Sequence, residues 1–237
     1  MKAFLAAIGS NGQSCADCLV RPFSICASLD KTEMQEFERL SRHAHFAPCE
    51  TVFAEEEMAI SFYNLIEGVM RLYKLLPDGR RQIVGFALPG DFLGMTASGR
   101  NAFSADAINA VAVCRFSKVS FQRFAEDKPH LLRRINEFAI RELSQAREHM
   151  VLLGRRSAEE KVATFLVSWR DRLARQNGAS ATLPLPMSRQ DIADYLGLTI
   201  ETVSRTFTKL ERVGVIEIIS GGVRLLDPAR AEALAAA

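Results

Sequence analysis

The sequence lacks any apolar run long enough to cross a membrane. A spanning helix needs about 20 consecutive apolar residues, and no stretch of the 237-residue chain comes close to that length. The apolar start, residues 3–8, is shorter than the hydrophobic region of a secretory signal and is followed at once by a glycine. We therefore expect a cytoplasmic protein with no membrane partner.

The sequence also lacks the common enzyme motifs and a large net charge. There is no nucleophile elbow, phosphate-binding loop or dinucleotide-binding fingerprint, which argues against the common classes of enzyme. The formal net charge is only +2, so nucleic-acid binding has to be inferred from a local surface and not from overall charge. With 48% hydrophobic and 24% charged residues, the composition is that of an ordinary globular protein. We expect a folded protein that is not an enzyme.

Cysteine is scarce, and its distribution is uneven. Three of the five cysteines, Cys15, Cys18 and Cys26, fall within twelve residues of an irregular segment, residues 1–30. In a reducing cytosol, clustered thiols favour metal or redox chemistry over structural disulfides. The segment is therefore predicted to bind a metal, and thiolate chemistry alone leaves zinc and an iron–sulfur cluster open.

Residues 45–124 show the pattern of a β-rich domain. Short apolar runs alternate with glycine-containing turns, which predicts a sandwich or a jelly-roll barrel. A short helix is predicted before this domain, from Lys31 or Thr32 to about Arg42, with Thr32 as its N-cap. The predicted strands cover residues 51–53, 61–66, 69–73, 82–86 and 107–116.

The segment 129–153 changes to a helical period. Its apolar or small residues step alternately by four and three, which is the spacing of a coiled-coil seam. We predict a dimerisation helix; the alternative is an amphipathic helix packed on its own domain. Ala139 and Ala146 are small and Asn136 is polar, so the dimer should be marginal and suited to a switch. The predicted seam consists of Leu132, Asn136, Ala139, Leu143, Ala146, Met150 and Leu153.

The most specific pattern of the chain lies in residues 188–214. A short helix at 192–196 is followed by a turn at Gly197, and Thr199 caps a second helix at 200–212. Helix, glycine-containing turn and helix make up the helix-turn-helix motif, whose second helix enters the major groove of DNA. A β-hairpin follows, so the domain should be winged.

The outward face of the second helix carries side chains suited to DNA. Glu201, Ser204 and Arg205 share one face at spacings of three and four, and their chemistry matches base edges in the major groove. They are the predicted base contacts. The alternative is a solvated face with an ion pair between Glu201 and Arg205. The predicted contacts to the DNA backbone are Thr199, Thr206, Thr208 and Lys209.

A small β-barrel, a long dimerisation helix and a winged helix-turn-helix resemble the CRP/FNR superfamily of bacterial transcription regulators, which has an α+β fold. Residues 196–205 are similar to the family's recognition helix and carry the E-x-x-S-R signature of the FNR branch. The resemblance implies a homodimeric activator that binds TTGAT-type inverted repeats in double-stranded DNA. It also implies a contact with RNA polymerase, for which the turn at 77–81 is a candidate. The resemblance divides the chain into a cysteine-rich segment 1–30, a barrel 31–126, a dimerisation helix 127–154 and a DNA-binding domain 155–237.

The same resemblance assigns a cofactor. Cys15, Cys18 and Cys26 are similar to the cysteines that hold an oxygen-labile [4Fe-4S] cluster in FNR proteins. Seven residues separate the last two here, where the enteric pattern has five. By resemblance Cys114 is the fourth ligand, with Cys49 as its competitor. The implied function is oxygen sensing.

Residues 89–103 correspond to the stretch with which CRP proteins bind the phosphate of a cyclic nucleotide. They lack the family's glutamate and its arginine–serine pair, so we expect no cyclic nucleotide. Two alternatives to an oxygen sensor stay open: a zinc- or thiol-redox-sensing regulator of the same superfamily, and an iron–sulfur electron carrier. A carrier would have no use for residues 188–214, which favours a regulator.

Overall fold

The computed structural model describes residues 15–236, apart from the side chains of Ala16, Arg155 and Asn177. The chain divides into two units. Unit 1 consists of Met1–Lys74 and Gly85–Glu142, and unit 2 consists of Leu75–Val84 and Leu143–Ala237. The apolar start at residues 3–8 lies outside the described residues. The division into four segments stays a prediction.

The β-rich region forms two four-stranded sheets among the described residues, which confirms the predicted β domain. The strands are β1 Ser41–Phe46, β2 Thr51–Phe53, β3 Ser61–Glu67, β4 Met70–Leu75, β5 Arg81–Ala87, β6 Phe92–Leu93, β7 Ser104–Ala107 and β8 Val111–Ser117. Their orders in the two sheets are β1-β8-β3-β6 and β2-β7-β4-β5. Side chains alternate between the two faces of each strand, so the first sheet contributes to two separate hydrophobic clusters.

Helices join one face of the first sheet in a cluster that we call the outer core. Phe37 stacks on Phe116 of β8, with ring centroids 4.4 Å apart. The helices that contribute are α1 Lys31–Leu40, α2 Lys118–Ala125 and the first part of α3 Pro129–Arg155. The outer core consists of Ile25, Cys26, Leu29, Met34, Phe37, Phe92, Cys114, Phe116, Phe121, Phe124, Ala125, Leu131 and Phe138.

Two element boundaries differ from the sequence prediction. Asp30, and not Thr32, caps α1, because its carboxylate accepts a hydrogen bond from the third residue of the helix at 2.9 Å. The single strand predicted at 107–116 is two strands, β7 and β8. The chain turns between them, where Asn109 accepts a hydrogen bond from Val69 N at 2.8 Å. The apolar residues in this turn hid it from the periodicity.

The described part of unit 2 contains a winged helix-turn-helix, as predicted. Gly197 ends the first motif helix with φ 61°, the left-handed conformation that glycine adopts most easily. The predicted wing hairpin is present, with a third strand beside it. No helix within residues 15–236 is long and apolar enough to cross a membrane. The elements are α4 Ala158–Asn177, β9 Thr182–Pro184, α5 Arg189–Leu196, α6 Ile200–Arg212, β10 Ile216–Ile219, β11 Gly222–Leu225 and α7 Pro228–Ala236.

Candidate DNA interface and metal centre

α6 presents the predicted base-reading residues on its solvent face. The helix begins after Thr199, whose hydroxyl accepts a hydrogen bond from Thr202 N at 3.2 Å. Glu201, Ser204 and Arg205 are all exposed, while the opposite side of the helix is buried. The Glu201 backbone N–H and the Thr199 side chain hold the pKa of Glu201 below its ordinary value. The carboxylate is therefore charged at neutral pH and can accept hydrogen bonds.

Three of the four predicted backbone contacts are accessible: Thr199, Thr208 and Lys209 are exposed. The prediction does not hold for Thr206. Thr206 is only 6% exposed, and its hydroxyl donates to Thr202 O at 2.8 Å, so it is not placed to reach a phosphate. Lys209 forms an ion pair with a glutamate of α4. A DNA phosphate would have to compete with that carboxylate.

An ionic network beside α5, which we call the Arg81 network, was not predicted. It consists of Arg81, Gln82, Asp191 and Asp194, all in unit 2. Arg81 Nη2 lies 2.7 Å from Asp191 Oδ1 and 2.8 Å from Asp194 Oδ2, and Gln82 Nε2 donates to Asp194 O at 2.7 Å. Arg81 belongs to the turn at 77–81 that was predicted as a candidate contact for RNA polymerase, and it is held in ion pairs and only 22% exposed. Local sequence patterns miss this network because Arg81 and Asp191 are 110 residues apart.

The predicted seam lies on the exposed side of α3. Leu132, Leu143 and Met150 are 48%, 51% and 63% exposed, which is unusual for large apolar side chains. Such a stripe is the surface that a second helix would cover. The other exposed members are Asn136, Ala139 and Ala146.

The seam prediction needs two refinements. Leu153 is partly buried in unit 2, and a Cβ placed on Gly197 would lie 3.2 Å from its side chain. It therefore packs partly against its own unit. Ile140 and Val151 are exposed and widen the apolar stripe, although the strict alternation of four and three left them out.

The structure brings the four predicted cluster ligands to one place in unit 1. Cys26 and Cys114 are buried members of the outer core, and Cys15 packs against it. Cys18 is close enough to raise the pKa of the other three thiols by charge repulsion. None of the four thiols forms a disulfide. Cys49 is also a free thiol, but it is exposed in a separate turn.

Burial makes the thiols of Cys15, Cys26 and Cys114 hard to ionise. The pKa of Cys15 is raised to about 12, first by burial and then by the Glu38 carboxylate. Burial likewise raises the pKa of Cys26 to about 11 and the pKa of Cys114 above its ordinary value. At neutral pH the thiols of Cys15, Cys26 and Cys114 are therefore protonated and unreactive until a cation replaces their protons.

The four cysteines are suitable ligands for a metal ion or an iron–sulfur cluster, but their side chains would have to move to bind it. Four free cysteine sulfurs are the usual ligands of an iron–sulfur cluster and of structural zinc. Within residues 15–236, no three His, Cys, Asp or Glu side chains are grouped to hold a metal ion as they stand. The chemistry of the site is therefore suitable, while its final geometry depends on what it binds.

Three contacts within unit 1 anchor the segment that carries the cysteines. Cys15 N donates to Glu38 Oε1 at 3.0 Å, and Arg134 Nε of α3 donates to Ser24 O at 3.3 Å. Gly90 adopts φ +92°, and a Cβ there would lie 2.5 Å from the ring of Phe23. The backbone can approach the segment this closely only at a glycine.

Comparison with known proteins decides the family. The model described as "Bacterial regulatory proteins, crp family" matches residues 185–216, and the model "Cyclic nucleotide-binding domain" matches residues 43–128. The sequence is 70% identical over 237 residues, 100% of both chains, to the nitrogen fixation regulation protein FixK of Bradyrhizobium diazoefficiens. The chain belongs to the CRP/FNR family of transcription regulators.

Other CRP/FNR proteins agree with this assignment. The transcriptional activator protein FnrL of Cereibacter sphaeroides is 34% identical over 226 residues, with 91% of each chain covered. The structure of FixK2 from Bradyrhizobium japonicum matches with a TM-score of 0.77 and 36% identity, covering 83% of this chain and 98% of that one. The chain is thus a DNA-binding regulator and not an enzyme, in a CRP/FNR family whose members typically act as dimers.

Proposed function

We propose that this CRP/FNR regulator senses oxygen through a [4Fe-4S] cluster held by Cys15, Cys18, Cys26 and Cys114. The observation that carries the proposal is the grouping of the three N-terminal cysteines beside Cys114, while Cys49 lies apart. When bound, such a cluster supplies oxygen-sensitive redox chemistry. Similarity to FnrL, a transcriptional activator protein, supports a role in activation.

The spacing of the cysteines along the chain supports a cluster over zinc. An all-cysteine zinc site often pairs two C-x-x-C motifs. Here only Cys15 and Cys18 form such a motif, and Cys26 and Cys114 follow at wider spacing. Three ligands from one short segment and a distant fourth suit an iron–sulfur cluster better.

The cysteine segment and α3 are linked within unit 1. Arg134 of α3 donates to Ser24 O, two residues before Cys26. Leu131 and Phe138 of α3 share the outer core with Cys26. A change in what Cys26 binds therefore alters the packing of the inner face of α3, whose outer face carries the seam. Because the predicted dimer is marginal, a small change in free energy shifts the balance between monomer and dimer.

The dimer then determines DNA binding. Two copies of α6 one helical turn of DNA apart match an inverted repeat, here of the TTGAT type. Arg205 can donate two hydrogen bonds to guanine, Glu201 can accept one from cytosine, and Ser204 can bond to several bases. A monomer contacts a single half-site and loses the affinity that bivalency provides. On DNA the dimer contacts RNA polymerase in the cytoplasm, and no cyclic nucleotide takes part.

The test is purification of the full chain without oxygen, followed by analysis of iron, acid-labile sulfide and zinc. We expect about four iron and four sulfide per chain, and loss of binding to an inverted-repeat DNA after exposure to air. Cys114→Ser should lose the iron and sulfide. Cys49→Ser is the matched control and should keep them.

Two results would contradict the proposal. Zinc without sulfide would identify a zinc- or thiol-based sensor, which is the alternative within the same family. DNA binding that is the same before and after air would remove the sensing role, even if iron were present.

A further inference from the structure

Asn64 is a buried polar residue whose side-chain oxygen has no hydrogen-bond partner. It lies on β3 and is 1% exposed. Among the residues that the structure describes, Asn64 Oδ1 is the one buried side-chain nitrogen or oxygen atom without a hydrogen-bond partner. Buried polar atoms are almost always paired, so an unpaired one calls for an explanation such as a missing ligand.

The register of the sheet places Asn64 beside Cys114. Asn64 pairs with Cys114 of β8 on one side and with Phe92 of β6 on the other. Side chains of directly opposed residues point to the same face of a sheet, with Cβ atoms about 4.5–5.5 Å apart. Cys114 and Phe92 both belong to the outer core.

Alternation along β3 gives the same result independently. Phe62 and Ile66, two residues before and after Asn64, pack against the outer core. Tyr63 and Leu65 belong to the other cluster, on the opposite face. The Asn64 amide therefore lies on the face of the sheet that holds the cysteines.

We propose that Asn64 is a positioning residue of the cysteine site, whose amide donates a hydrogen bond to the sulfur of Cys114 when that sulfur is a metal-bound thiolate. This inference rests on the proposed function. A thiolate only accepts hydrogen bonds, and an amide carries two N–H donors beside its carbonyl oxygen. Turning the amide by half a rotation brings its NH₂ group to the place that Oδ1 occupies in the free protein.

The hydrogen bond stabilises the negative charge on the ligand sulfur. Hydrogen bonds to the sulfurs are one of the factors that set the reduction potential of an iron–sulfur cluster. An Asn64 donor makes electron loss from the cluster harder and thus slows its destruction by oxygen. Asn64 therefore tunes how readily the protein responds to air.

Asn64→Leu tests the inference in the full chain, because leucine has a similar size and no donor. The cluster should still assemble under anaerobic conditions, with wild-type iron and sulfide. Its visible absorption should decay about tenfold faster in air, which is the effect expected from one hydrogen bond to a charged group. Its reduction potential should be more negative.

The metal-free protein separates this role from a structural one. In the metal-free fold Asn64 Oδ1 is buried without a hydrogen-bond partner, so Asn64→Leu should unfold at the wild-type denaturant concentration or above it. Tyr63→Phe is the control on the opposite face and should leave the decay rate unchanged.

Three results would overturn the inference. The first is a decay rate and potential in Asn64→Leu equal to those of the wild type. The second is a metal-free Asn64→Leu protein that unfolds at a lower denaturant concentration than the metal-free wild type. The third is a wild-type chain without iron and sulfide, which would overturn the proposed function together with this inference; the first two leave the proposed function standing.

Discussion

Arg81→Ala tests whether the Arg81 network stabilises unit 2. Arg81 donates to the carboxylates of Asp191 and Asp194 at 2.7–2.9 Å, and these carboxylates are only 5% and 13% exposed. Without the guanidinium group, these two carboxylates lose the cation that bridges them. Removal of one partner from a buried ion pair destabilises a protein by about 3–5 kcal/mol. Arg81 is 22% exposed, so water can reach the gap and we expect the lower value, about 3 kcal/mol.

The chain offers a direct measurement of this effect. Trp169 is its single tryptophan, and it is buried in α4 of unit 2. Urea unfolding followed by tryptophan fluorescence therefore reports on unit 2. With a slope of about 1.5 kcal/mol per molar urea, a loss of 3 kcal/mol lowers the midpoint by roughly 2 M.

Arg80→Ala is the matched control. Arg80 is 78% exposed and pairs with Asp78 in the same turn, and such surface pairs contribute about 0–1 kcal/mol. Its midpoint should stay near that of the wild type. Adding Asp194→Asn to Arg81→Ala should restore part of the lost stability, because one of the uncompensated charges is removed. Equal midpoints for Arg81→Ala and Arg80→Ala would refute the reasoning.

Three further predictions concern the dimer, the DNA and the cysteine segment. Ala146→Asp should weaken anaerobic dimerisation about 100-fold or more, because it places two like charges in the seam. Sedimentation of this variant should show monomers. The exposed neighbour variant Ser144→Asp should sediment as a dimer. Arg205→Ala should weaken binding to a specific operator by about 1–3 kcal/mol in anisotropy titrations and leave binding to scrambled DNA nearly unchanged; an equal loss on both DNAs would make Arg205 a phosphate contact. Gly90→Ala should lower the iron content, because its Cβ collides with the cysteine segment; Gly99→Ala, with similar φ but open space, should keep the iron.

The helices and their exposed faces could be read from short-range patterns. The alternating spacing in α3 indicated an apolar stripe, and Leu132, Leu143 and Met150 are indeed exposed. The cap at Thr199 and the glycine at position 197 marked the helix-turn-helix, and the structure has both features. Such signals are carried within a few residues, because a helical turn and a cap are local structures.

Local patterns failed where burial or pairing depends on distant residues. Thr206 resembled its polar neighbours on α6, yet the packing of unit 2 buries it. The turn at Asn109 was hidden because the residues around it are apolar. Burial depends on the packing of the folded unit, and the sequence indicates it only through the periodicity of its apolar residues.

The cysteine site shows most clearly which features the sequence predicted and which required the tertiary structure. The dense spacing of Cys15, Cys18 and Cys26 alone was enough to indicate a metal-binding segment. The family resemblance had already favoured Cys114 over Cys49 as the fourth ligand. The placement of Asn64 beside Cys114 and the pairing of Arg81 with Asp191 needed the folded chain. These pairs are joined by strand register and tertiary packing across tens of residues or more, and a shift of one residue in a strand would turn each side chain to the opposite face.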